Sequence, residues 1–186
     1  MKTNRLSRSV VAFVVVVAVS AVVVAAPSAR PAPETAPGDL LDPRTYAPDS
    51  RLYLILHAIG VQKYICQANG TWLFTDPEAT LYKTTTGASK PVGTHFLNFS
   101  TGRPVWQWKA GSSVEAARTQ TASAGAGNIA WLLLQAVATS RGRLAQTTWI
   151  QRLNTTGGVA PAGTCTPGAT TAVPYTADYF FWREAG

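Results

Sequence analysis

The chain has 186 residues, a formal net charge of +7, two cysteines and six tryptophans, and only 13% of its residues are charged. Lys2, Arg5 and Arg8 carry part of that charge, and without them the remainder is about +4 by formal counting. The other bases never form a run, which argues against a nucleic-acid partner, since that needs clustered Lys and Arg interleaved with aromatics.

From the N-terminus, a basic stretch without acids (Met1 to Arg8) leads into an apolar run from Val10 to Ala26, broken only by Ser20. A positive n-region, an apolar h-region and small residues behind it predict a secretory signal peptide over 1–26. Cleavage fits after Ala25, Ala26 or Ser28, and the alternative is an uncleaved anchor. No cysteine stands at the end of the h-region, so a lipid-anchored cysteine is not expected, and no later run is long and uninterrupted enough to span a bilayer. The expected product is therefore secreted or extracytoplasmic, with no membrane span after cleavage.

Residues 27–49 are rich in Pro and Ala, which predicts an extended tether, with Leu40 and Leu41 able to dock at its end. A globular domain is then expected over 50–186, of ordinary single-domain size.

Its periodicity is mostly two. Leu52–Ala58 and Val61–Cys66 read as two strands or one strand bent at Gly60. Asn69-Gly70 marks a hairpin turn. Short strands are expected at Thr71–Phe74, Leu81–Thr84, Val105–Lys109 and Ser113–Ala116, with Asp76-Pro77 as a turn between the first two. Ile129–Ala138 suits a buried strand or a short helix, with strand slightly favoured. Thr147–Leu153 reads as a strand ending at Thr155-Thr156-Gly157-Gly158. In Val173–Trp182, Val173, Tyr175, Ala177, Tyr179 and Phe181 share one face, and Phe180 and Trp182 suggest cover on the other side too. Many short strands with frequent turns predict an all-β, antiparallel, single-domain sandwich or barrel.

Cys66 and Cys165, downstream of an export signal, are expected to form one disulfide. It would close a loop of roughly 100 residues, worth about 4.7 kcal/mol in the chain-entropy model. Two buried free thiols are the alternative.

Several blocks, in order, resemble a secreted family known as domain of unknown function 3455. They are Gly60-Val61-Gln62-Lys63-Tyr64-Ile65-Cys66, Trp72 with Asp76-Pro77-Glu78-Ala79, and His95 followed by Pro104-Val105-Trp106. Ala130-Trp131-Leu132-Leu133-Leu134 follows, then Ile150-Gln151-Arg152-Leu153-Asn154-Thr155 with Gly157-Gly158, Ala160-Pro161 and Cys165. Pro174-Tyr175-Thr176-Ala177-Asp178-Tyr179 closes the series. The resemblance implies secretion, one domain and pairing of the two cysteines, and it names no activity. Two positions depart from the pattern: Ala110 precedes Gly111-Ser112 where the family has Asp, and Ala130 stands where it has Pro.

Catalytic chemistry has one weak candidate. There is no Gly-x-Ser-x-Gly elbow, and only His57 and His95 can serve as an imidazole base. His57 sits in an apolar run and reads as a core or edge histidine. His95 could work with Asp76 or Glu78, which would make the chain a secreted hydrolase or isomerase. No metal site and no cofactor are expected: His-Glu-x-x-His and Cys-x-x-Cys are both missing, and a disulfide would consume the soft ligands. Trp106 and Trp108, two apart, share a strand face and make either core or a stacking platform for sugar rings. Arg152 and Asn154 share a face beside the Thr-Gly-Gly turn, where Arg152 could pair with Asp178 or Glu78, or meet an anionic ligand. The expectation is a non-catalytic extracellular or cell-envelope binding or structural domain. Its ligand candidates are Trp106, Trp108, Arg152 and Asp178, and its partner is a glycan or an envelope protein.

Overall fold

A computed structural model describes residues 41–84 and 89–186, so the expected signal peptide and the tether up to residue 40 lie outside the described residues. Among the described residues, strands follow in chain order as β1 (Ser50–Cys66), β2 (Trp72–Tyr82), β3 (Gly93–Asn98) and β4 (Arg103–Trp108), then β5 (Ser113–Ala122), β6 (Trp131–Thr139), β7 (Trp149–Gly157) and β8 (Thr170–Glu184). Each pairs antiparallel with its neighbour in sequence, and β1 pairs with β8, so the sheet closes into an up-and-down barrel. Closure gives every strand a neighbour on both sides over at least part of its length, which removes the free edge strand of an open sheet. Of the two architectures the sequence allowed, the barrel forms.

The period-two pattern sets which side chains point inward. Leu54, Leu56 and Ala58 of β1, Leu81 of β2, Val114 and Ala116 of β5, Ile150 of β7 and Ala177 and Phe181 of β8 pack in one buried cluster. β8 alternates as expected, with Tyr175, Ala177, Tyr179 and Phe181 all buried. The ambiguous Ile129–Ala138 segment is strand β6, because its backbone is claimed by ladders with β5 and β7 on its two sides.

Two local expectations need correction. Asp76-Pro77 is no turn: β2 runs through it, joining the two short strands read on either side, and Pro77 lies opposite Gln62 of β1. Proline fits there because β3 pairs with β2 only over Ala79–Leu81, so no neighbour on that side asks for its missing N–H. β1 is likewise one strand, and its register shifts fall between Lys63 and Tyr64 against β2 and between Leu52 and Leu54 against β8, not at Gly60. Gly60 serves close approach instead. A Cβ there would lie 2.1 Å from the Glu78 carbonyl oxygen and 2.5 Å from the Ala79 Cα.

A second cluster covers the outside of the barrel. Leu41, fully buried, packs with Leu133, Trp149, Leu153 and Phe180, with Trp131 and Trp182 at its margin. Gln151 of β7 donates through Nε2 to the Leu41 carbonyl at 2.6 Å and accepts from Trp182 Nε1 at 2.7 Å. The end of the proline-rich tether thus docks on β6–β8, which explains why Phe180 and Trp182 break the polar face of β8.

The two ends of the barrel differ. At the end bearing the β4–β5 and β6–β7 connections, Leu144 is fully buried and joins the interior cluster as a floor. Ser112 Oγ accepts the Leu144 backbone N–H at 2.9 Å and holds this plug in place. Aliphatic packing fills this half, and the other half is where the cavity lies.

Candidate functional site

At the open end, a cavity of about 760 Å³ enters the barrel between β1, β2, the β3–β4 hairpin, β5–β6 and β7. Its walls are largely apolar, including Leu97, Ala116, Ile129, Leu132 and Leu134, and half-exposed Phe74 and Val159 stand at the rim. Eight-stranded barrels are wide enough to hold one small ligand in this way.

Five polar residues of the lining arrive from five separate strands. Gln62 comes from β1, His95 from β3, Trp106 from β4, Arg152 from β7 and Tyr179 from β8. Interior register places Arg152 directly beside Leu132 and Tyr179, and His95 beside Trp106. The guanidinium of Arg152 donates twice to one backbone carbonyl, that of Ala130, through Nε at 3.1 Å and Nη2 at 2.8 Å. Among the described residues, no carboxylate lies within ion-pair distance of it. Its field reaches His95, Tyr64, Tyr175 and Tyr179, whose ionisation it influences.

Around this cation, buried polar atoms are left without hydrogen-bond partners: Gln62 Nε2, Trp106 Nε1, and the hydroxyls of Tyr175 and Tyr179. The Tyr175 hydroxyl is near enough to Tyr179 and Gln62 to affect its titration, yet none of these pairs reaches hydrogen-bond geometry. Burial pushes both tyrosines above the ordinary phenol value, Tyr175 well above it, so both are neutral. Such a concentration of unsatisfied groups is costly in a closed core.

His95 is 2% exposed and stacks on Trp106. Its Nδ1 lies 2.9 Å from the Val105 carbonyl, which can only accept, so the proton of the neutral ring sits on Nδ1. Burial pushes its pKa down to about 3, with the Arg152 charge adding to the effect. Neither Asp76 nor Glu78 reaches it. Asp76 Oδ1 accepts the Leu97 N–H at 2.8 Å, and Glu78 pairs with Lys63 on the outer face. The imidazole–carboxylate pair of the enzyme reading is therefore not assembled.

The remaining sequence candidates disperse. Trp106 is 1% exposed within the lining, whereas Trp108 is half-buried near the floor, with Lys83 and Arg143 over its ring. They share an inward face, but no exposed stacking platform forms. Asp178 is on the outer face of β8, accepting from Asn154 Nδ2 at 3.0 Å and bonded to His57 Nδ1 at 2.8 Å. It holds no part of Arg152. Ala110 is exposed on the β4–β5 connection at the floor end, so a carboxylate at that position would stand away from the cavity. Among the described residues, no three His, Cys, Asp or Glu side chains gather in one place. Among the same residues, no helix is long and apolar enough to cross a membrane.

Gln62, Tyr175 and Tyr179 were not among the sequence candidates. Their signal was a polar atom at an inward-facing strand position, which Tyr175 and Tyr179 already showed in the β8 alternation.

Cys66 and Cys165 form a disulfide with Cα atoms 5.8 Å apart. It ties the end of β1 to the β7–β8 connection beside the mouth, and Tyr64 Oη adds a 2.6 Å bond to the Gly158 carbonyl.

The model of the family described as protein of unknown function (DUF3455) matches residues 47–183, and the chain belongs to that family. No curated protein and no solved structure matches this chain.

Proposed function

We propose that this DUF3455 member is an exported, non-catalytic binding domain that takes one small, mainly apolar molecule into the mouth of its barrel. The observation that carries this reading is the cavity of about 760 Å³, half-floored by packed aliphatics and edged by buried polar atoms without partners. Pockets of this size and mixed lining suit small ligands. A glycan is a poorer fit, because sugar recognition uses exposed aromatic faces and Trp106 is buried. Catalysis by His95 is disfavoured too. Its ring bonds a backbone carbonyl rather than a carboxylate, and its low pKa makes it a weak base.

Titration with the neutral solvatochromic dye Nile red tests the cavity. Saturable, blue-shifted fluorescence at one dye per chain is expected, and Ala116→Trp, which fills the lumen, is expected to abolish it. Dye emission unchanged by the protein, or equal in Ala116→Trp, would overturn the reading. Export is checked by N-terminal sequencing of protein recovered from culture fluid, where a start at Ala26, Pro27 or Ala29 is expected. Cell-associated protein beginning at Met1 would contradict it.

A further inference from the structure

We propose that the ligand is an apolar monocarboxylic acid whose carboxylate is seated on Arg152, with its apolar body running toward the mouth. The inference rests on the cavity being the binding site and deepens that reading.

Arg152 is a partly buried cation with no acidic partner among the described residues, tethered by one backbone carbonyl through two of its N–H groups. The remaining donors of the planar fork match a carboxylate, which can accept two parallel bonds at once. An unpaired charge in a low-dielectric site is costly, and a ligand anion is the counter-ion the fold omits.

The neighbours agree in sign. Trp106 Nε1 can only donate, and Gln62 Nε2 is likewise a donor. The Tyr179 hydroxyl, neutral by burial, can donate as well. All three are buried, unpartnered and part of the same lining. An acceptor-rich head group satisfies them together, whereas an alcohol or amine offers too few acceptors. No Asp or Glu lines the cavity to repel an anion. Arg103 and Arg118 also belong to the lining but are exposed at its rim, Arg103 beside Glu115, so Arg152 is the one arginine of the lining that is not exposed, which favours a monocarboxylate over a phosphate dianion. Beyond this polar end the lining turns to Leu, Ile and Ala, so the rest of the molecule is hydrocarbon.

The experiment displaces Nile red from the full protein at pH 7.5 with dodecanoate and, in parallel, with dodecanamide of equal chain length. Dodecanoate is expected to compete at least tenfold better. The acid-to-amide ratio, measured within each variant, should fall close to one in Arg152→Gln and remain above one in Arg152→Lys. Tyr179→Phe, which keeps the ring and removes one donor, should reduce the ratio several-fold. If Arg152→Gln does not fold, the lysine and phenylalanine variants still decide the matter. Equal competition by acid and amide in the wild type would overturn the carboxylate seat while leaving the cavity reading intact. A ratio unchanged in Arg152→Gln would move the head group to the rim bases Arg103 and Arg118 and overturn the assignment. Failure of Nile red itself to bind would instead remove the cavity reading beneath it.

Discussion

His95 stacks on Trp106 with ring centroids 4.5 Å apart and planes inclined by 17°, so two aromatic side chains on adjacent strands form a single wall of the barrel lumen. The neighbouring Val105 carbonyl accepts a hydrogen bond from Nδ1, and Tyr179 closes on the imidazole with a centroid distance of 5.0 Å. The ring is held from three sides as a neutral spacer beside a cation.

That neutrality gives stability a direction with pH. The folded pKa of His95 is about 3, against an ordinary 6.5. Between these values the unfolded chain binds a proton that the folded chain refuses. The contribution is therefore intact above pH 6.5 and is lost as pH falls toward 3, at up to about 1.4 kcal/mol per pH unit. Urea midpoints measured from pH 7 to 4.5 should fall in the wild type. His95→Gln, whose amide can still donate to Val105, should show a flatter profile, and identical slopes would assign the effect to another group.

The disulfide should matter for stability and for the mouth together. Replacing Cys66 and Cys165 with serine is expected to cost about 2–5 kcal/mol. The segment from Gly158 to Ala169, released from β1, should become the first site of limited proteolysis, read by mass spectrometry of the fragments. Unchanged urea unfolding and an unchanged cleavage map would count against the bond as a clamp on the mouth.

Leu41 lies upstream of the first strand yet is fully buried against β7 and β8. Leu41→Ala should destabilise the barrel by about 2–5 kcal/mol, the usual range for a buried leucine. A loss under about 0.5 kcal/mol in equilibrium unfolding would mean that the docked segment contributes little.

Gly60 has no room for a side chain, since the added Cβ would meet backbone rather than a movable tip. Gly60→Ala should force β1 and β2 apart and cost about 1–3 kcal/mol, or more if the ladder slips. Thermal denaturation of the purified variant checks this, and a wild-type midpoint would show that the strands can move apart freely.

Much of the barrel was legible in the chain because strands write their two faces into alternating residues. The inward set of β8 and the strand character of β7 could be read that way, while the partnership of Cys66 with Cys165 followed from two cysteines behind an expected export signal. The β2 strand was missed at Asp76-Pro77 because proline signals a turn unless the neighbouring strand has already peeled away, and only pairing reveals that. The candidate site was half legible. Trp106, Arg152 and His95 were singled out and do line one cavity, but Trp108 and Asp178 fall elsewhere. Arg152 and Asp178 come from neighbouring strands, and pairing of Arg152 with Tyr179 turns Asp178 to the opposite face.

The sequence by itself determined an all-β domain, the inward face of β8 and the long-range tie between its cysteines, since each follows from local periodicity or residue chemistry. Only the tertiary structure decided that the sheet closes, that Leu144 plugs one end and that Gln62, His95, Trp106, Arg152 and Tyr179 surround one space. Those residues are spread over nearly 120 positions, as 62 and 179 mark the limits. Their meeting depends on the curvature and register of the closed ladder, a property of all the strands together that no single segment encodes.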